Sequence, residues 1–554
     1  MTWTADPELD DGPHTIGRWL IDRAARSPER TAIDDRGVTT DYATLAARAA
    51  ALADALGDGG YGPGDRIATV SGNSTDHVVA FFACALAGIA FVPLSWRLTP
   101  RELADVLTRS DPALVLVEDE YEALAGAALR IADRMPPTAV LGTTGVEAGP
   151  TRREAPRDAP AARGAAVGTV PAHARPSTRR PVRDDDPLLI IFTSGSEAAP
   201  KGVVLTHANC FWNNLALAQA LPLTADDVVL AMLPQFHVAA WNCQPLLAWW
   251  VGATVVLERS FQPARVLQLI ADRRVTAMMG VPTQYAMLAA ERDAASADTS
   301  SLRLALVGGA TMPVELQRTW ARRGVPLTQG YGLTEAGPNV LHLPAAEADA
   351  APGAVGRPYP HVTVRIVDPA NGLTLEGEAT GELWVRGPSV FAGYLGDDAA
   401  TARAREGEWL RSGDLVSRDA EGVYRVVDRL KDIYISGGEN VAPAEVEQAL
   451  CLHPLVEAAA VVGVPDDVWG ERGVAFVVRR TGAALSADEL LAHARRNLAA
   501  FKIPVHVEFV DELPRSTIEK LARSRLREQA RALRARADRR ERAGARTPSK
   551  GEPR

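Results

Sequence analysis

Residues 192–207 of the chain read FTSGSEAAPKGVVLTH and follow an apolar run, residues 188–192, that is typical of a buried strand. The strand leads into a predicted loop of small and charged residues: Thr193, Ser194, Gly195, Ser196, Lys201 and Gly202. Glycines and hydroxyl side chains allow backbone N–H groups to approach an anion, and a lysine adds a mobile positive charge. Five residues separate Gly195 from Lys201, and Pro200 stands where a Walker A loop needs glycine. The segment therefore predicts a phosphate-binding loop of another type.

The chain before this loop alternates helical and strand-like patterns. Residues 15–26 and 42–56 are predicted helices, whereas residues 66–70 and 113–117 are predicted strands. Such alternation predicts βαβ units, and therefore an α/β fold whose sheets are covered by helices. Residues 149–186 are rich in Ala, Arg and Pro and contain almost no large apolar side chain, so we expect a loop or linker there.

A smaller unit is predicted to begin near residue 429. From residue 383 the pattern changes to short strands with tight turns, and helix-like and strand-like segments alternate again beyond residue 433. We therefore divide the chain into a large domain at residues 1–428, a connection at 429–432, a small domain at 433–527 and a basic, disordered tail at 528–554.

The length and charge of the chain bound its class. With 554 residues it exceeds the ~100–200 residues typical of one domain, and 47% hydrophobic residues exclude a wholly disordered chain. The formal net charge of −9 argues against a general nucleic-acid binder, because a phosphate backbone requires a positive surface. Residues 521–554 carry a net charge of +8 and residues 1–520 carry −17, so a basic tail follows an acidic body.

Neither secretion nor membrane insertion is predicted. The four cysteines have no regular spacing, which gives no support to a disulfide framework or a zinc site and indicates a reducing, cytoplasmic compartment. The acidic N-terminus lacks the apolar core of a signal peptide. The apolar stretches at residues 78–94 and 236–257 are interrupted by residues such as Gly88, Pro93 and Pro245, so we expect interior segments and no integral membrane span.

Further segments carry candidate chemistry. They are LPQFH at 233–237 with Trp241 completing an FHxxxW pattern, VGGA at 307–310, QGYGLTE at 329–335, RSGDL at 411–415, DRLKD at 428–432, SGGEN at 436–440 and LPRSTIEK at 513–520. Alone, His237 is more readily a core histidine, and DRLKD is more readily a solvated turn. The ordered set favours a functional interpretation.

These segments, in this order, resemble the motifs of the adenylate-forming superfamily, which includes acyl-CoA synthetases, peptide-synthetase adenylation domains and luciferases. The resemblance covers about residues 15–527, and the FHxxxW pattern is similar to that of medium- and long-chain fatty acyl-CoA synthetases. It implies a large domain of stacked α/β subdomains with a β-barrel-like part, and a small, mobile α+β domain. It also implies an AMP-forming acid–thiol ligase that uses ATP, CoA and Mg²⁺.

The resemblance implies roles residue by residue. Catalysis falls to Lys520, Lys201 and His237, and rotation of the small domain falls to Lys431. The residues implied for ATP or AMP are Thr193, Ser194, Gly195, Ser196, Trp241, Gly309, Ala310, Gln329, Gly330, Tyr331, Gly332, Thr334, Asp414 and Arg429. Glu335 and Thr193 are implied for Mg²⁺, and Gly437, Gly438 and Glu439 for CoA.

Two sites depart from the family pattern. Glu197 and Ala198 stand where Thr-Gly is usual, and Glu519 stands where glycine precedes the lysine. A carboxylate added near a triphosphate repels it. The leading hypothesis is an acyl-CoA ligase for a hydrophobic carboxylic acid. The alternatives are an acyl-adenylate:CoA ligase that catalyses mainly thioesterification, a ligase that loads a carrier-protein thiol, and a non-catalytic nucleotide binder. The sequence does not specify the acid, and a homodimer is left open.

Overall fold

The protein is described by a computed structural model. It describes residues 12–132, 135–142, 180–193, 200–292, 294, 296–310, 312–436, 439–466, 469–515 and 521–544. The chain forms two compact units that alternate along the sequence. Unit 1 comprises Met1–Arg365, Trp384–Ser412 and Ala420–Tyr424, and unit 2 comprises Ile366–Leu383, Gly413–Asp419 and Arg425–Arg554. The boundary at residues 429–432 remains a prediction, and residues 149–179 of the predicted linker lie outside the described residues.

The described helices follow the order of the chain. They are α1 Ile16–Arg26, α2 Tyr42–Asp58, α3 Thr75–Ala87, α4 Pro100–Ser110, α5 Glu122–Leu129, α6 His207–Ala220, α7 Ala239–Asn242, α8 Pro245–Val251, α9 Pro263–Asp272, α10 Pro282–Ala290, α11 Val314–Arg322, α12 Asp398–Arg403, α13 Pro443–Cys451, α14 Ala487–Asn497 and α15 Arg523–Gly544. Short 3₁₀ turns cover Asp119–Tyr121, Thr334–Ala336, Ala345–Glu347 and Ala500–Lys502.

The strands alternate with these helices. They are β1 Thr31–Asp35, β2 Val38–Asp41, β3 Arg66–Val70, β4 Ala90–Leu94, β5 Leu114–Glu118, β6 Thr138–Leu141, β7 Pro187–Thr193, β8 Lys201–Thr206, β9 Val228–Ala231, β10 Thr254–Leu257, β11 Ala277–Gly280, β12 Leu304–Val307, β13 Leu327–Tyr331, β14 Leu341–Leu343, β15 Arg357–Pro358, β16 Thr363–Val367, β17 Thr374–Leu375, β18 Ala379–Arg386, β19 Gly393–Tyr394, β20 Arg405–Glu406, β21 Trp409–Arg418, β22 Tyr424–Arg429, β23 Tyr434–Ser436, β24 Glu439–Val441, β25 Val456–Asp466, β26 Gly470–Arg479 and β27 His506–Phe509.

Four sheets organise these strands. The largest has the order β15-β14-β13-β12-β11-β9-β10-β1-β2, and a second has the order β19-β8-β7-β4-β3-β5-β6. A third has the order β17-β16-β18-β21-β20 with β22 beside β21, and the fourth has the order β24-β23-β26-β25 with β27 beside β26. The predicted α/β fold with a large N-terminal part and a small C-terminal domain is confirmed.

The first apolar stretch, residues 78–94, is the interior segment that the sequence predicts. Helix α3 begins after Ser74, whose hydroxyl accepts the N–H of His77, and it ends at Gly88 in the left-handed region (φ 67°). Strand β4 follows and is buried along its whole length. Among the described residues, none of the helices has the length and hydropathy that a bilayer crossing requires.

The central strands of the largest sheet run parallel. Strands β9, β10, β11, β12 and β13 pair in parallel, and β14 returns antiparallel beside β13. Parallel strands are covered by helices on both faces, which explains their continuous apolar sequences. Trp320 of α11 and Tyr285 of α10 are fully buried in the core on one face. The carboxyl ends of these strands therefore share one edge.

The fourth sheet lies within unit 2 and buries both of its faces. Val461 and Val462 are neighbours on β25 and point to opposite sides. The Val461 side packs with α13 and α14, and the Val462 side packs with Leu526 and Ala530 of α15. At the start of β26, Trp469 is 39% exposed and the Arg472 guanidinium lies 5.6 Å from its ring centre.

Helix α15 corrects one prediction. It extends to Gly544, so the disorder expected from residue 528 is wrong as far as that residue. Arginine, alanine, leucine and glutamate are strong helix formers, and they make up most of this segment. In addition, Leu526 and Ala530 are fully buried, which fixes the first turns of the helix against the sheet.

Candidate active site

The carboxyl edge of the largest sheet collects several of the predicted segments. Val307 of β12 lies opposite Gln329 of β13 in parallel register, so the segments that follow these two strands leave the sheet side by side. They are close enough that a Cβ on Gly308 would lie 3.2 Å from the carbonyl oxygen of Gly330. In open α/β sheets, ligands bind outside the carboxyl ends of the strands.

The predicted adenine segments lie at this edge with graded exposure. Gly309 (φ 79°) and Ala310 are exposed, and Gln329 is buried within β13. Tyr331, Gly332 and Thr334 are half-buried. An aromatic ring can stack on a base, and a hydroxyl can donate to a phosphate.

Glu335 is held by two contacts from the chain around β19. It lies in the 3₁₀ turn Thr334–Ala336, and its main-chain oxygen accepts the N–H of Phe391 at 2.9 Å. Its carboxylate Oε1 accepts the hydroxyl of Tyr394 at 2.8 Å. The turn and the carboxylate are thus fixed from the same side.

Lys201 lies close to this pair on a β-hairpin. Thr193 at the end of β7 pairs with Lys201 at the start of β8, so Lys201 and Gly202 belong to a strand and not to the loop that the sequence predicted. Tyr394 pairs with Val203, and the Lys201 ammonium lies 5.3 Å from the Tyr394 ring centre. The predictions for Ser194, Gly195 and Ser196, and the departures Glu197 and Ala198, lie outside the described residues.

The donor set is compatible with Mg²⁺ held together with substrate. Mg²⁺ binds through one or two carboxylates plus phosphate oxygens and water, and rarely through an all-protein cage. The Glu335 carboxylate offers one such ligand, and Thr193 ends the strand beside Lys201. In the described parts of the chain, no three His, Cys, Asp or Glu side chains converge as a metal cluster.

His237 follows a segment that is hydrogen-bonded to Asn73 and to His77 of α3. Asn73 accepts the N–H of Gln235 at 2.9 Å, and His77 Nδ1 lies 2.9 Å from Gln235 Oε1. The other ring nitrogen of His77, Nε2, lies 2.8 Å from the hydroxyl of Thr69. Burial lowers the pKa of His77 to about 4, so this ring is neutral at neutral pH.

Trp241 does not lie where the sequence placed it. Its side chain is fully buried, and it stacks on Phe81 with ring centres 4.4 Å apart. Its indole N–H donates to the main-chain oxygen of Gln235 at 2.7 Å. Trp241 is therefore a core residue that supports the His237 segment and presents no surface to a nucleotide.

Unit 2 holds the predicted ribose pair. Asp414 lies on β21 and is 4% exposed, and its Oδ1 is 2.9 Å from Nε of Arg429, which is half-exposed at the end of β22. Two residues further on, desolvation lowers the pKa of Lys431, and the Arg429 guanidinium lowers it further. A carboxylate with a paired arginine can accept the hydroxyls of a diol.

The residue after Lys431 is tied to the first turns of α15. Asp432 accepts Arg527 and lies 3.7 Å from Arg523 Nε, and Arg527 also donates to the main-chain oxygen of Lys431 at 3.2 Å. Arg523 makes a bidentate contact with Glu447 at 2.6 and 3.0 Å. Glu439 is exposed on β24, whereas Gly437, Gly438 and Lys520 lie outside the described residues.

Sequence reasoning missed the residues that support Glu335. Tyr394 contacts it from 59 positions further along the chain, and the dipeptide Gly393-Tyr394 belongs to none of the sequence motifs. The buried amides of Asn213, Asn242 and Asn339 form a hydrogen-bonded group beside the same turn. A polar residue within an apolar helix pattern, such as Asn213 in α6, is the signal that was available.

A parallel α/β edge with glycines, one carboxylate and a lysine hairpin has the features of a site for a nucleoside phosphate. The AMP-binding enzyme family matches residues 20–395, and the AMP-binding enzyme C-terminal domain matches residues 445–520. The chain therefore belongs to the AMP-binding enzyme family, within the adenylate-forming superfamily.

Individual relatives are similar over nearly the whole chain. The feruloyl-CoA synthase of Amycolatopsis sp. is 40% identical over 92% of this chain and 98% of the relative. The indoleacetate–CoA ligase of Aromatoleum aromaticum is 36% identical over 93% of this chain and 98% of the relative. The o-succinylbenzoate CoA synthetase of Bacillus subtilis, solved in complex with an acyl-adenylate intermediate, has a TM-score of 0.78 and 30% identity over 92% of this chain and 97% of that chain.

Proposed function

We propose that the protein is an ATP-dependent acyl-CoA ligase that activates a hydrophobic, ring-bearing carboxylic acid as its adenylate and transfers the acyl group to CoA. The observation that carries the proposal is the contact series from Lys201 over Tyr394 to the Glu335 carboxylate, at the edge where Tyr331 and Thr334 are half-buried. It places a cation and a carboxylate oxygen against the same tyrosine side chain within unit 1.

The first step is the attack of a carboxylate oxygen on the α-phosphorus of ATP. The new bond joins acid and AMP, and pyrophosphate leaves with the electrons of the bond that breaks. Negative charge grows on the leaving phosphates, so fixed positive charge lowers the barrier. Lys201 supplies such charge, and Thr334 donates to the α-phosphate. Mg²⁺ held by Glu335 supplies charge neutralisation at the phosphates when it is bound.

The second step is the attack of the CoA thiol sulfur on the acyl carbonyl carbon. The thioester forms, the thiol proton is released, and AMP leaves. In this proposal Asp414 and Arg429 bind the ribose, and Gly437, Gly438 and Glu439 border the pantetheine arm. Lys520 acts in adenylation, and rotation at Lys431 separates the two steps, as the family resemblance implies.

An aromatic or polycyclic acid is the substrate class we favour. The two relatives named above act on feruloyl and indoleacetate groups. The four cysteines, which are all free thiols, fit the cytoplasm as compartment, and a homodimer remains a prediction.

The decisive experiment supplies ATP, Mg²⁺ and a panel of aromatic, polycyclic and fatty acids, and measures pyrophosphate, AMP and thioester. We expect acid-dependent pyrophosphate release, and AMP and acyl-CoA in equal amounts once CoA is added. The absence of acid-dependent pyrophosphate across the panel contradicts the proposal.

Two further arms separate the alternatives. Synthetic acyl adenylate plus CoA tests thioesterification alone. If this input gives thioester while acid plus ATP gives none, the protein catalyses only the second half-reaction, and Glu197 and Ala198 become the first positions to revert. A holo-carrier protein in place of CoA tests loading of a protein thiol. Faster loading of the carrier than of CoA assigns the protein to that class.

A further inference from the structure

Helix α6 carries two asparagines one turn apart, Asn209 and Asn213, that reach the chain on both sides of Glu335. On one side, the amide nitrogen of Asn209 donates to the main-chain oxygens of Pro388 and Val390 at 2.8 and 3.0 Å. This double contact fixes the loop that leads into β19.

That loop is continuous with the residues that hold Glu335. Phe391 directly follows Val390 and donates to the main-chain oxygen of Glu335, and Tyr394 donates to its carboxylate. Asn209 therefore acts on the Glu335 turn through residues 391–394, the four residues that follow its contact with Val390. A shift of the loop would move both donors together.

On the other side, Asn213 holds the chain that leaves the turn. Its Oδ1 accepts both the main-chain N–H and the side-chain amide of Asn339, at 3.2 and 3.1 Å. Asn242 donates from Nδ2 to the main-chain oxygen of Gly337 at 2.8 Å. Asn213 and Asn242 also contact each other, because Asn213 Nδ2 donates to the main-chain oxygen of Asn242 at 2.8 Å.

Burial explains why these contacts are stiff. Asn213 and Asn242 are fully buried, and Asn339 is 5% exposed. A buried amide costs free energy unless its polar groups are hydrogen-bonded, so the main-chain groups of Gly337 and Asn339 cannot leave their partners cheaply. Space is also limited, because a Cβ on Gly337 would lie 3.0 Å from the Ser389 oxygen and 3.2 Å from Asn213 Oδ1.

We propose that Asn209, Asn213 and Asn242 are positioning residues that set the place of the Glu335 carboxylate, and thereby its affinity for the divalent cation that enters with ATP. The inference rests on the proposed function, in which that carboxylate is the protein ligand of the cation. It predicts that the three amides matter for adenylation and not for thioesterification, since only the first step handles the charged triphosphate.

The test uses the full-length variants Asn213→Ala and Asn242→Ala. Mn²⁺ serves as the probe, and its binding in the presence of ATP is followed by electron paramagnetic resonance. We expect the Kd of Mn²⁺ to rise about fivefold, as the loss of a hydrogen bond that orients a ligand allows. Adenylation should fall about tenfold or more, because small displacements of catalytic groups are costly. Thioester formation from supplied acyl adenylate and CoA should stay within about twofold of the unmodified protein.

A merely structural role gives a different pattern. Loss of folded protein lowers both half-reactions in the same proportion and leaves the Kd of Mn²⁺ in the folded fraction unchanged. Either result overturns the inference. Asn214→Ala tests the connection between the amides, since Asn214 is also fully buried on α6 and donates to Cys210 and to the Asn242 side chain that holds Gly337. It should lower adenylation selectively, by a smaller factor than Asn242→Ala.

Two more variants keep the test decisive. Tyr394→Phe removes the direct contact to the Glu335 carboxylate and should reproduce the selective loss of adenylation. If Asn213→Ala does not fold, Asn339→Ala removes only the side-chain donor and leaves the main-chain contact to Asn213. It should raise the Kd of Mn²⁺ by a smaller factor, and an unchanged Kd there contradicts the inference. Failure of the unmodified protein to release pyrophosphate refutes the proposed function instead.

Discussion

Gly332 lies where the chain folds back on itself beside the predicted phosphate region. A Cβ at this position would lie 1.4 Å from the carbonyl oxygen of Pro338 and 2.6 Å from its carbon, which are main-chain atoms that cannot turn away. The glycine is therefore required by the close approach of two backbone segments, and these segments carry Tyr331 on one side and Asn339 on the other.

Gly332→Ala should therefore destroy the site. We expect adenylation to fall by about 100-fold or more, because the segment that carries Thr334 and Glu335 must move by more than an ångström. Pyrophosphate release and thermal unfolding measure the two consequences. Gly57→Ala is the matched control: its Cβ would meet nothing within 4 Å, and it lies in the last turn of α2. It should leave activity unchanged and raise stability by up to about 1 kcal/mol, since alanine is the better helix former. Equal activity of both variants contradicts this account.

The residues that sequence reasoning could predict differ from those it missed in how far their contacts reach. Lys201 and Glu335 lie in short segments whose residue types by themselves predict phosphate and metal binding. Asn213 contacts Asn339 across 126 positions, and Tyr394 contacts Glu335 across 59, so no local pattern contains either pair. The prediction for Trp241 was wrong although a local pattern was present. A pattern shared with a family does not say whether a side chain faces the ligand or the core.

Helix α15 shows the same limit for a whole element. Its composition announces a helix, but its anchoring depends on the two-sided sheet of unit 2, which is assembled from strands far away in the sequence. Leu526 and Ala530 are fully buried against this sheet, and Arg523 and Arg527 bind Glu447 and Asp432. The helix is thus part of the small unit at least through these contacts.

Two truncations should separate the anchored part of α15 from the rest. Ending the chain after Leu533 keeps every one of these contacts, so we expect the thermal midpoint and the KM for CoA to stay unchanged. Ending it after Arg525 removes the burial of Leu526 and Ala530, and we expect a loss of about 2–4 kcal/mol of stability. Thermal unfolding and thioesterification kinetics measure both. A higher KM for CoA in the chain that ends after Leu533 would instead give the basic tail a role in binding CoA phosphates.

The whole molecule should lose stability on mild acidification because of its buried histidines. Burial lowers the pKa of His77 and of His207 to about 4, and both are essentially inaccessible. Unfolding returns each to about 6.5. Between these two pKa values the histidines are protonated in the unfolded chain and neutral in the folded protein. The free energy of unfolding therefore falls as the pH decreases from about 6.5 to 4. The slope approaches about 1.4 kcal/mol per pH unit for each histidine.

His77→Gln removes the proton that His77 takes up when the protein unfolds between pH 6.5 and 4. Urea unfolding at pH 7, 6 and 5 should show a shallower decline than in the unmodified protein, by about 1.4 kcal/mol per unit between pH 6 and 5. His361→Asn is the control, because His361 is exposed and its left-handed backbone (φ 66°) is one that asparagine tolerates. Parallel curves for His77→Gln and the unmodified protein would contradict the assignment.

Trp469 gives the small unit an optical label of its own. The sequence contains 11 tryptophans, and Trp469 is the one whose position falls within unit 2. Its ring is 39% exposed, under the guanidinium of Arg472, so its emission responds to water and to charge. The difference between the fluorescence of the unmodified protein and that of a Trp469→Phe variant therefore isolates the light of the small unit, without any dye or added cysteine.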